Sequence, residues 1–261
     1  MIYRRNNLVI GLTVSDVAYL QVAVPALARL RRCFFLVIYN DDSCTRINRR
    51  MVRRLGYRGK LYIINGGHGI GLLGARIELV KYIRAHKIRS DWFMFIHDAN
   101  IVSGLSIPRV LPNNFAIIQN SVRLRSGFLG ALRVMRDPSA YQIDNANTVL
   151  LRPYLGLTGT FVRSGVLFRT IDILSGILDS IYEIDMSLSY PAPVDLMMWS
   201  AINIVSRDMC PANVPIYMDT VGVLGVDLDA APSVSGARIA RALSRYDKLV
   251  LSALAMTKKS D

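Results

Sequence analysis

Carboxylate side chains at three distant points of the chain are the groups best able to do chemistry. Asp41 and Asp42 follow a short apolar run that ends at Tyr39, Asp98 follows a second apolar run, and Asp195 begins an apolar segment. A carboxylate at a strand end can bind a base or sugar hydroxyl, or hold a hard cation with a neighbouring amide oxygen. It can also serve as a general base. Each of these residues fits an ordinary helix cap or turn equally well.

The elements that must position these carboxylates follow from the hydrophobic pattern. In the first half, apolar runs predict strands at 8–14, 34–39, 61–64 and 92–96, and the segments between them predict helices at 17–31, 45–55 and 74–85. Apolar strands separated by helices favour a parallel sheet with helices on both faces. Such sheets bind ligands at the carboxyl ends of their strands, where Asp41 and Asp98 would both lie.

The second half of the chain is less regular. Its pattern predicts strands at 114–119, 159–162 and 214–218, and helices at 164–180, 194–205 and 237–255. It contains no internal repeat, low-complexity tract or linker. We therefore expect one continuous domain.

Composition limits the class of protein. The chain has 261 residues, of which 52% are hydrophobic, and no uncharged apolar run reaches the length of about 18 residues that a membrane-spanning helix needs. Its three cysteines lack C-x-x-C spacing and favour neither a zinc site nor a disulfide framework. The N-terminal segment lacks the pattern of a secretory signal. We expect a cytoplasmic protein.

The net charge of +13 predicts an anionic partner. Two predicted helical stripes concentrate it, one of Arg46, Arg49, Arg50, Arg53 and Arg54 and one of Arg238, Arg241, Arg245 and Lys248. A solvated outer face is the simplest explanation of both. The functional explanation is peripheral docking on an anionic membrane surface. Nucleic acid is disfavoured as a partner, because no aromatic residues interleave with the arginines and no nucleic-acid-binding motif is present.

Five segments occur in the order typical of family 2 glycosyltransferases. Residues 36–43 resemble the strand and N-D-G-S segment of that family, and 65–76 resemble its N-x-G…G-x-A-R-N segment. Residues 92–100 resemble its hydrophobic strand with a D-x-D motif, 159–163 its acceptor-side strand, and 194–198 its E-D-x-x-L segment. Together the five segments and the chain between them cover roughly residues 7–220.

This resemblance implies a GT-A fold, a Rossmann-related α/β domain with a mostly parallel central sheet and helices on both faces. Residues 1–100 would form the nucleotide-binding half, and 101–261 the acceptor-binding half with a basic C-terminal helix. The implied activity moves a sugar from a nucleotide-sugar donor, UDP-linked, to a glycan or lipid-linked acceptor with inversion.

The donor side of the site follows residue by residue from the same resemblance. Asp41 and Asp42 would contact the nucleotide, and Arg76 would lie near it. Asp98 would lie at the diphosphate and, together with Asn100, would hold Mg²⁺ or Mn²⁺. Asn100 stands where the family has the second aspartate of D-x-D, which weakens the expected hold on the metal.

On the acceptor side, the resemblance implies that Gly159 and Thr160 bind the acceptor and that Asp195 deprotonates its hydroxyl. Val194 stands where the family has a glutamate before this base.

Two other functions stay open. A nucleotidyltransferase would share the sheet, but it normally has a glycine-rich activation loop after the first strand, and residues 11–14 provide none. A catalytically inactive, basic binding module would keep the fold while losing the D-x-D chemistry.

Overall fold

The computed structural model describes residues 7–30, 34–41, 44–66, 70–97, 101–105, 117–124, 160–187, 194–209, 217–227 and 236–260. The strands in these ranges are β1 (Leu8–Val14), β2 (Phe35–Asn40), β3 (Lys60–Asn65), β4 (Trp92–His97), β5 (Ile101–Leu105), β6 (Ile117–Leu124), β7 (Phe161–Arg163) and β8 (Tyr217–Asp227). The helices are α1 (Leu20–Ala28), α2 (Arg49–Arg54), α3 (Gly71–Ala85), α4 (Ser164–Gly176), α5 (Leu178–Ser187), α6 (Val194–Met209) and α7 (Gly236–Ser260).

The strands form one sheet in the order β3-β2-β1-β4-β7-β6-β8-β5. β1 pairs in parallel with β2 and β4, β2 pairs in parallel with β3, and β6 does so with β8. The antiparallel pairs are β4 with β7, β7 with β6, and β8 with β5. Strands β1 to β4 thus form a wholly parallel block, and every antiparallel pair involves β7 or β8. The predicted mostly parallel α/β sheet is confirmed.

Helices cover both faces of the sheet because its strands are apolar on both sides. Along β1, Leu8, Ile10, Leu12 and Val14 belong to one core cluster, which they share with α1 and α2. Val9 belongs to a second cluster, which holds the buried faces of α3, α4, α6 and α7. Gly11 points to this second side, where an added Cβ would lie 3.0 Å from side-chain atoms of Leu79 and Phe93. A glycine there lets α3 pack closely on β1.

The predicted elements are present in the described ranges, with shifted ends and instructive differences. The predicted helix 45–55 is the short α2, because Asn48 caps it with its side chain accepting from the Met51 amide at 3.0 Å. The predicted helix 17–31 begins as a 3-10 turn, Val17–Tyr19, capped by the Asp16 side chain, and continues as α1. The predicted helix 164–180 is interrupted at Ile177, directly after Gly176, and becomes α4 and α5.

One strand was not predicted. β5 (Ile101–Leu105) is a short edge strand whose five residues include a serine and a glycine, so it lacks a clear apolar pattern. In the parts of the chain that the structure describes, no helix combines the length and the apolar character needed to cross a bilayer.

Candidate active site at the carboxyl ends of the strands

Three parallel strands end side by side and form the floor of the candidate site. Thr13 in β1 pairs with Tyr39 in β2 and with His97 in β4, and Val14 pairs with Asn40 one residue later. Helix α3 begins beside these ends. This is the edge at which ligands bind in parallel α/β sheets.

Asp41 lies at the end of β2 and caps α3. Its Oδ1 accepts a hydrogen bond from the Ile70 amide and its Oδ2 accepts one from the Gly71 amide, each at 3.1 Å. Its own amide donates to the Val14 carbonyl at 2.8 Å. The positive end of the helix dipole stabilises this carboxylate. Each carboxylate oxygen keeps further acceptor capacity for a nucleotide, so nucleotide contact stays a prediction compatible with capping.

Asn40 and Asn65, from the segments that resemble N-D-G-S and N-x-G, hold together the loop that follows β2. The Asn40 side chain donates to the Thr45 carbonyl at 2.7 Å and to Asn65 Oδ1 at 3.0 Å. The Asn65 side chain exchanges hydrogen bonds with the backbone amide and carbonyl of Ile47, at 2.9 and 3.0 Å. Both residues therefore fix the connection from β2 to α2. Sequence reasoning assigned them no role of their own.

Tyr39 explains why a glycine follows Asn65. A Cβ on Gly66 would lie 2.1 Å from the Tyr39 hydroxyl oxygen, so only glycine leaves room for that ring. Burial raises the pKa of Tyr39, and the negative charges of Asp41 and Glu78 raise it further. The hydroxyl therefore stays protonated at neutral pH and is a hydrogen-bond donor beside Asp41.

Thr13 is a candidate site residue that the sequence analysis missed. It is 3% exposed, and its hydroxyl has no hydrogen-bond partner among the described residues. Buried hydroxyls are normally hydrogen-bonded, so a lone one at a ligand-binding edge suggests a ligand contact. The available signal in the sequence was a polar residue near the end of an apolar strand.

Arg76 is fully buried in the second turn of α3. Its guanidinium carbon lies 5.2 Å from the centroid of the Phe95 ring, and its Nη1 lies 3.7 Å from the sulfur of Met198. These contacts join α3, β4 and α6. The buried cation adds positive potential near the edge where a diphosphate is predicted. Its direct contact with a nucleotide stays a prediction.

The course of α6 places Asp195 relative to this edge. The Ser164 amide donates to the Asp91 carbonyl, so α4 starts where β4 starts, at the opposite edge of the sheet. Arg169, in the second turn of α4, donates to Thr257 near the end of α7, and Lys258 forms an ion pair with Asp208 at the end of α6.

The last turn of α6 therefore lies toward the edge where the parallel strands begin, and its first turn lies toward the edge where they end. Met198 in that first part contacts Arg76. The backbone of Asp195 precedes Met198 by about one helical turn. Its catalytic role stays a prediction.

Thr160 is buried immediately before β7. β7 runs antiparallel to β4, with Phe161 opposite Met94 and Arg163 opposite Trp92. The start of β7 thus lies toward the carboxyl end of β4, so the backbone of Thr160 approaches the same edge. Its predicted contact with the acceptor remains untested.

The remaining predicted site residues, Asp42, Asp98, Asn100 and Gly159, lie outside the described residues. Within the described ranges, no group of three histidine, cysteine or acidic side chains could hold a metal ion. The predicted Mg²⁺ or Mn²⁺ site therefore depends on Asp98 and Asn100, and the described side chains do not provide one by themselves.

Comparison with known proteins bears on the fold. No family model matches the chain, and no curated protein matches its sequence. Residues 1–349 of S. aureus TarS match with a TM-score of 0.50 and 11% identity, over 94% of this chain and 72% of that one. The same region of TarS in complex with UDP gives a TM-score of 0.48 and 10% identity, covering 95% and 65% of the two chains.

Glucosyl-3-phosphoglycerate synthase from Mycobacterium tuberculosis, in complex with Mg²⁺ and UDP, gives a TM-score of 0.47 and 10% identity, covering 93% and 80% of the two chains. Identities this low bear on the fold and not on the activity. Together with the sheet topology, the match to TarS shows that this chain has the GT-A fold of glycosyltransferases.

Proposed function

We propose that this chain is a glycosyltransferase that moves a sugar from a nucleotide-sugar donor, UDP-linked, to a hydroxyl of a glycan or lipid-linked acceptor. The observation that carries the proposal is a convergence at one edge of a GT-A sheet. Asp41, Arg76 and the first turn of α6 approach that edge from three separate parts of the chain. The family 2-like segments supply these residues in the expected order.

In the proposed reaction, Asp195 accepts the proton of the acceptor hydroxyl. The acceptor oxygen then forms a bond to the anomeric carbon of the donor sugar, on the face opposite the diphosphate. The bond from that carbon to the phosphate oxygen breaks, and its electron pair leaves with the nucleoside diphosphate. This single displacement inverts the anomeric configuration and needs one general base within hydrogen-bond reach of the hydroxyl.

A divalent cation would neutralise charge that develops on the leaving diphosphate. Asp98 and Asn100 are the side chains proposed to hold it, together with oxygens of the donor itself. The buried Arg76 would add positive potential at this edge of the sheet and also packs against Phe95 and Met198.

The test uses a panel of nucleotide-sugars. A donor that binds only the folded state raises the melting temperature by mass action, which identifies the nucleotide and sugar. With that donor, Asp195→Asn should lower turnover by about 10²–10⁴-fold while leaving donor affinity unchanged. Asp179→Asn removes an exposed carboxylate of α5 and is the matched control. Equal turnover in both variants would remove Asp195 from the chemistry.

The released product separates sugar transfer from its alternatives. Sugar transfer releases a nucleoside diphosphate, whereas a nucleotidyltransferase would release or consume pyrophosphate. The HDAN sequence at 97–100, in place of D-x-D, favours a non-catalytic module as the second candidate. Nucleotide binding with no product of either kind from any donor would support that module.

A further inference from the structure

The two basic stripes of the sequence lie on opposite faces of the sheet. α2 belongs to the face covered by α1 and α2, whereas α7 packs on the other face through Tyr246, Val250, Ala253 and Leu254. A flat anionic surface can therefore contact only one of them at a time. The surroundings of each stripe decide which of them fits such a surface.

Charge on the first face is unbalanced. Residues 44–60 contain six arginines and Lys60 and no acidic residue, and 17–40 contain no acidic residue either. The side chains of Arg49 and Arg53 are held in place, because they donate hydrogen bonds to the backbone carbonyls of Leu61 and Tyr57 at 3.1 and 2.9 Å. The exposed arginines of the predicted stripe that do not donate to these carbonyls are thus Arg46, Arg50 and Arg54, and Arg58 is exposed beyond the helix.

The second stripe lies on a face of the sheet that also carries acids. Arg245 and Lys248 are exposed on α7, but the helices on the same face present exposed acids, among them Asp172 on α4 and Asp179 and Glu183 on α5. The side chains of Arg238 and Arg241 lie outside the described residues. Alternating charges suit a solvated surface better than an anionic one.

Exposed apolar groups occur on the first face as well, on α1, which covers the same side of the sheet as α2. Tyr19 is 38% exposed and Val22 is 41% exposed at the start of α1. A Cβ on Gly56, just after α2, would lie 3.7 Å from Ala28, so the chain after α2 lies close to the end of α1. Leu251 and Met256 are also exposed on α7, but on the face of the sheet that carries the acids named above.

A groove of about 440 Å³ lies between the start of α1 and the helix α2. Val17, Met51 and Leu55 give it an apolar lining, and Arg54 provides a cation at its wall. Asp16 also lines the groove, and its carboxylate caps the turn at Ala18. Asp16 follows β1 and Thr45 follows β2, so the groove opens at the same edge of the sheet as the candidate active site.

We propose that the α1–α2 face, formed by Tyr19, Val22, Arg50, Arg54 and Arg58, docks on an anionic phospholipid bilayer. Tyrosine and a small apolar group enter the interface, while the arginines neighbour lipid phosphates. A bilayer suits this face because the face combines unbalanced positive charge with exposed apolar groups. Docking would place the candidate active site next to the membrane surface. The proposal does not depend on the transfer reaction.

The test measures cosedimentation of the full chain with vesicles of equal parts phosphatidylglycerol and phosphatidylcholine, against vesicles of phosphatidylcholine alone. Wild type should bind the anionic vesicles and be released by salt. Each basic residue near an anionic surface is worth about 1 kcal/mol, so Arg50→Glu with Arg54→Glu should weaken binding by about 30-fold or more.

The matched control, Arg245→Glu with Lys248→Glu, removes the same net charge from the opposite face. It should weaken vesicle binding far less. Equal losses in the two double variants would show attraction by net charge alone and overturn the proposal. So would wild-type binding to oligonucleotide but not to vesicles.

A second measurement reports the docked face without changing its charge. In Tyr19→Trp the new indole should shift its emission to shorter wavelength when anionic vesicles are added, because Trp92 and Trp199 are already buried. The same substitution at Tyr182, which is 43% exposed on α5, should show no shift. A shift at position 182 without one at position 19 would overturn the proposed orientation.

Discussion

Thr13 places a polar group where β1 meets the candidate site. Replacing it by valine removes a buried hydroxyl that lacks a partner among the described residues. We therefore expect Thr13→Val to raise the free energy of unfolding by up to about 1 kcal/mol. If the hydroxyl binds the donor, nucleotide-sugar affinity should fall by about tenfold. Urea unfolding and a binding titration measure the two effects.

Thr170 provides the control for this substitution. Its hydroxyl is equally buried but donates to the Val166 carbonyl at 2.8 Å inside α4. Thr170→Val should lower stability and leave donor affinity unchanged. A Thr13→Val protein that is destabilised and binds the donor normally would show that the hydroxyl serves the fold and not the ligand.

At the scale of elements, two glycines at helix starts differ in their backbone conformation. Gly71 begins α3 with a positive φ of +71°. Gly165, near the start of α4, does not have a positive φ, and a Cβ added to it would have no atom within 4 Å. Gly71→Ala should destabilise by about 1 kcal/mol because L residues are strained there. Gly165→Ala should stabilise by about 0.5–1 kcal/mol through helix propensity. Urea midpoints that move in the same direction would contradict this account.

The packing of α7 on α6 contains a buried carboxyl. Asp247 is 4% exposed and accepts a hydrogen bond from the Ser200 hydroxyl. Burial raises the pKa of Asp247, and the bond from Ser200 opposes that shift. Between the pKa of the unfolded chain and the raised pKa of the folded protein, Asp247 therefore retains a proton that the unfolded chain has released. Its stabilising contribution is complete below the unfolded pKa and is lost as pH rises through the folded one.

We accordingly expect the free energy of unfolding to contain a part that falls as pH rises from about 4 toward neutrality. Asp247→Asn cannot ionise and should remove that part, whereas the exposed Asp179→Asn should keep it. Urea unfolding at a series of pH values provides the measurement. An unchanged pH dependence in Asp247→Asn would refute the buried-proton explanation.

Sequence periodicity predicted the parallel strands well because their apolar runs are continuous and end at polar residues. It did not predict where the helices begin and end, because single side-chain contacts determine those residues. α2 begins at Arg49 because Asn48 caps it and Asn65 holds Ile47. Asp41 likewise caps α3, which is distant in the sequence, and no local rule could reveal that pairing. β5 was missed because an edge strand needs little apolar surface.

At the scale of the whole molecule, motif order predicted that residues 36–43, 65–76 and 194–198 approach one edge of the sheet, but not which contacts they make there. The resemblance predicted that Arg76 lies near the nucleotide. It could not predict that the side chain is buried against Phe95 and Met198, because that burial depends on how α6 packs across α3. Thr13 was missed because one hydroxyl in an apolar strand gives no motif. The two basic stripes looked equivalent in the sequence, and only the sheet separates them onto opposite faces.

The net charge of +13 acts on the stability of the whole molecule. Repulsion among like charges destabilises a compact state, and salt screens it. Exposed pairs such as Arg84 with Asp172, at 2.7 Å, lose little to salt because such pairs contribute only about 0–1 kcal/mol. We therefore expect the urea midpoint to rise with sodium chloride concentration.

The α1–α2 face supplies a variant that tests this cause. Reversing Arg50, Arg54 and Arg58 to glutamate removes two charges at each position and lowers the net charge from +13 to +7. The triple variant should be more stable than wild type at low salt and should gain less from added salt, because less repulsion remains to be screened. A salt response as large as that of wild type would mean that the ions act on hydrophobic burial, and the charge of this face would then have no part in folding stability.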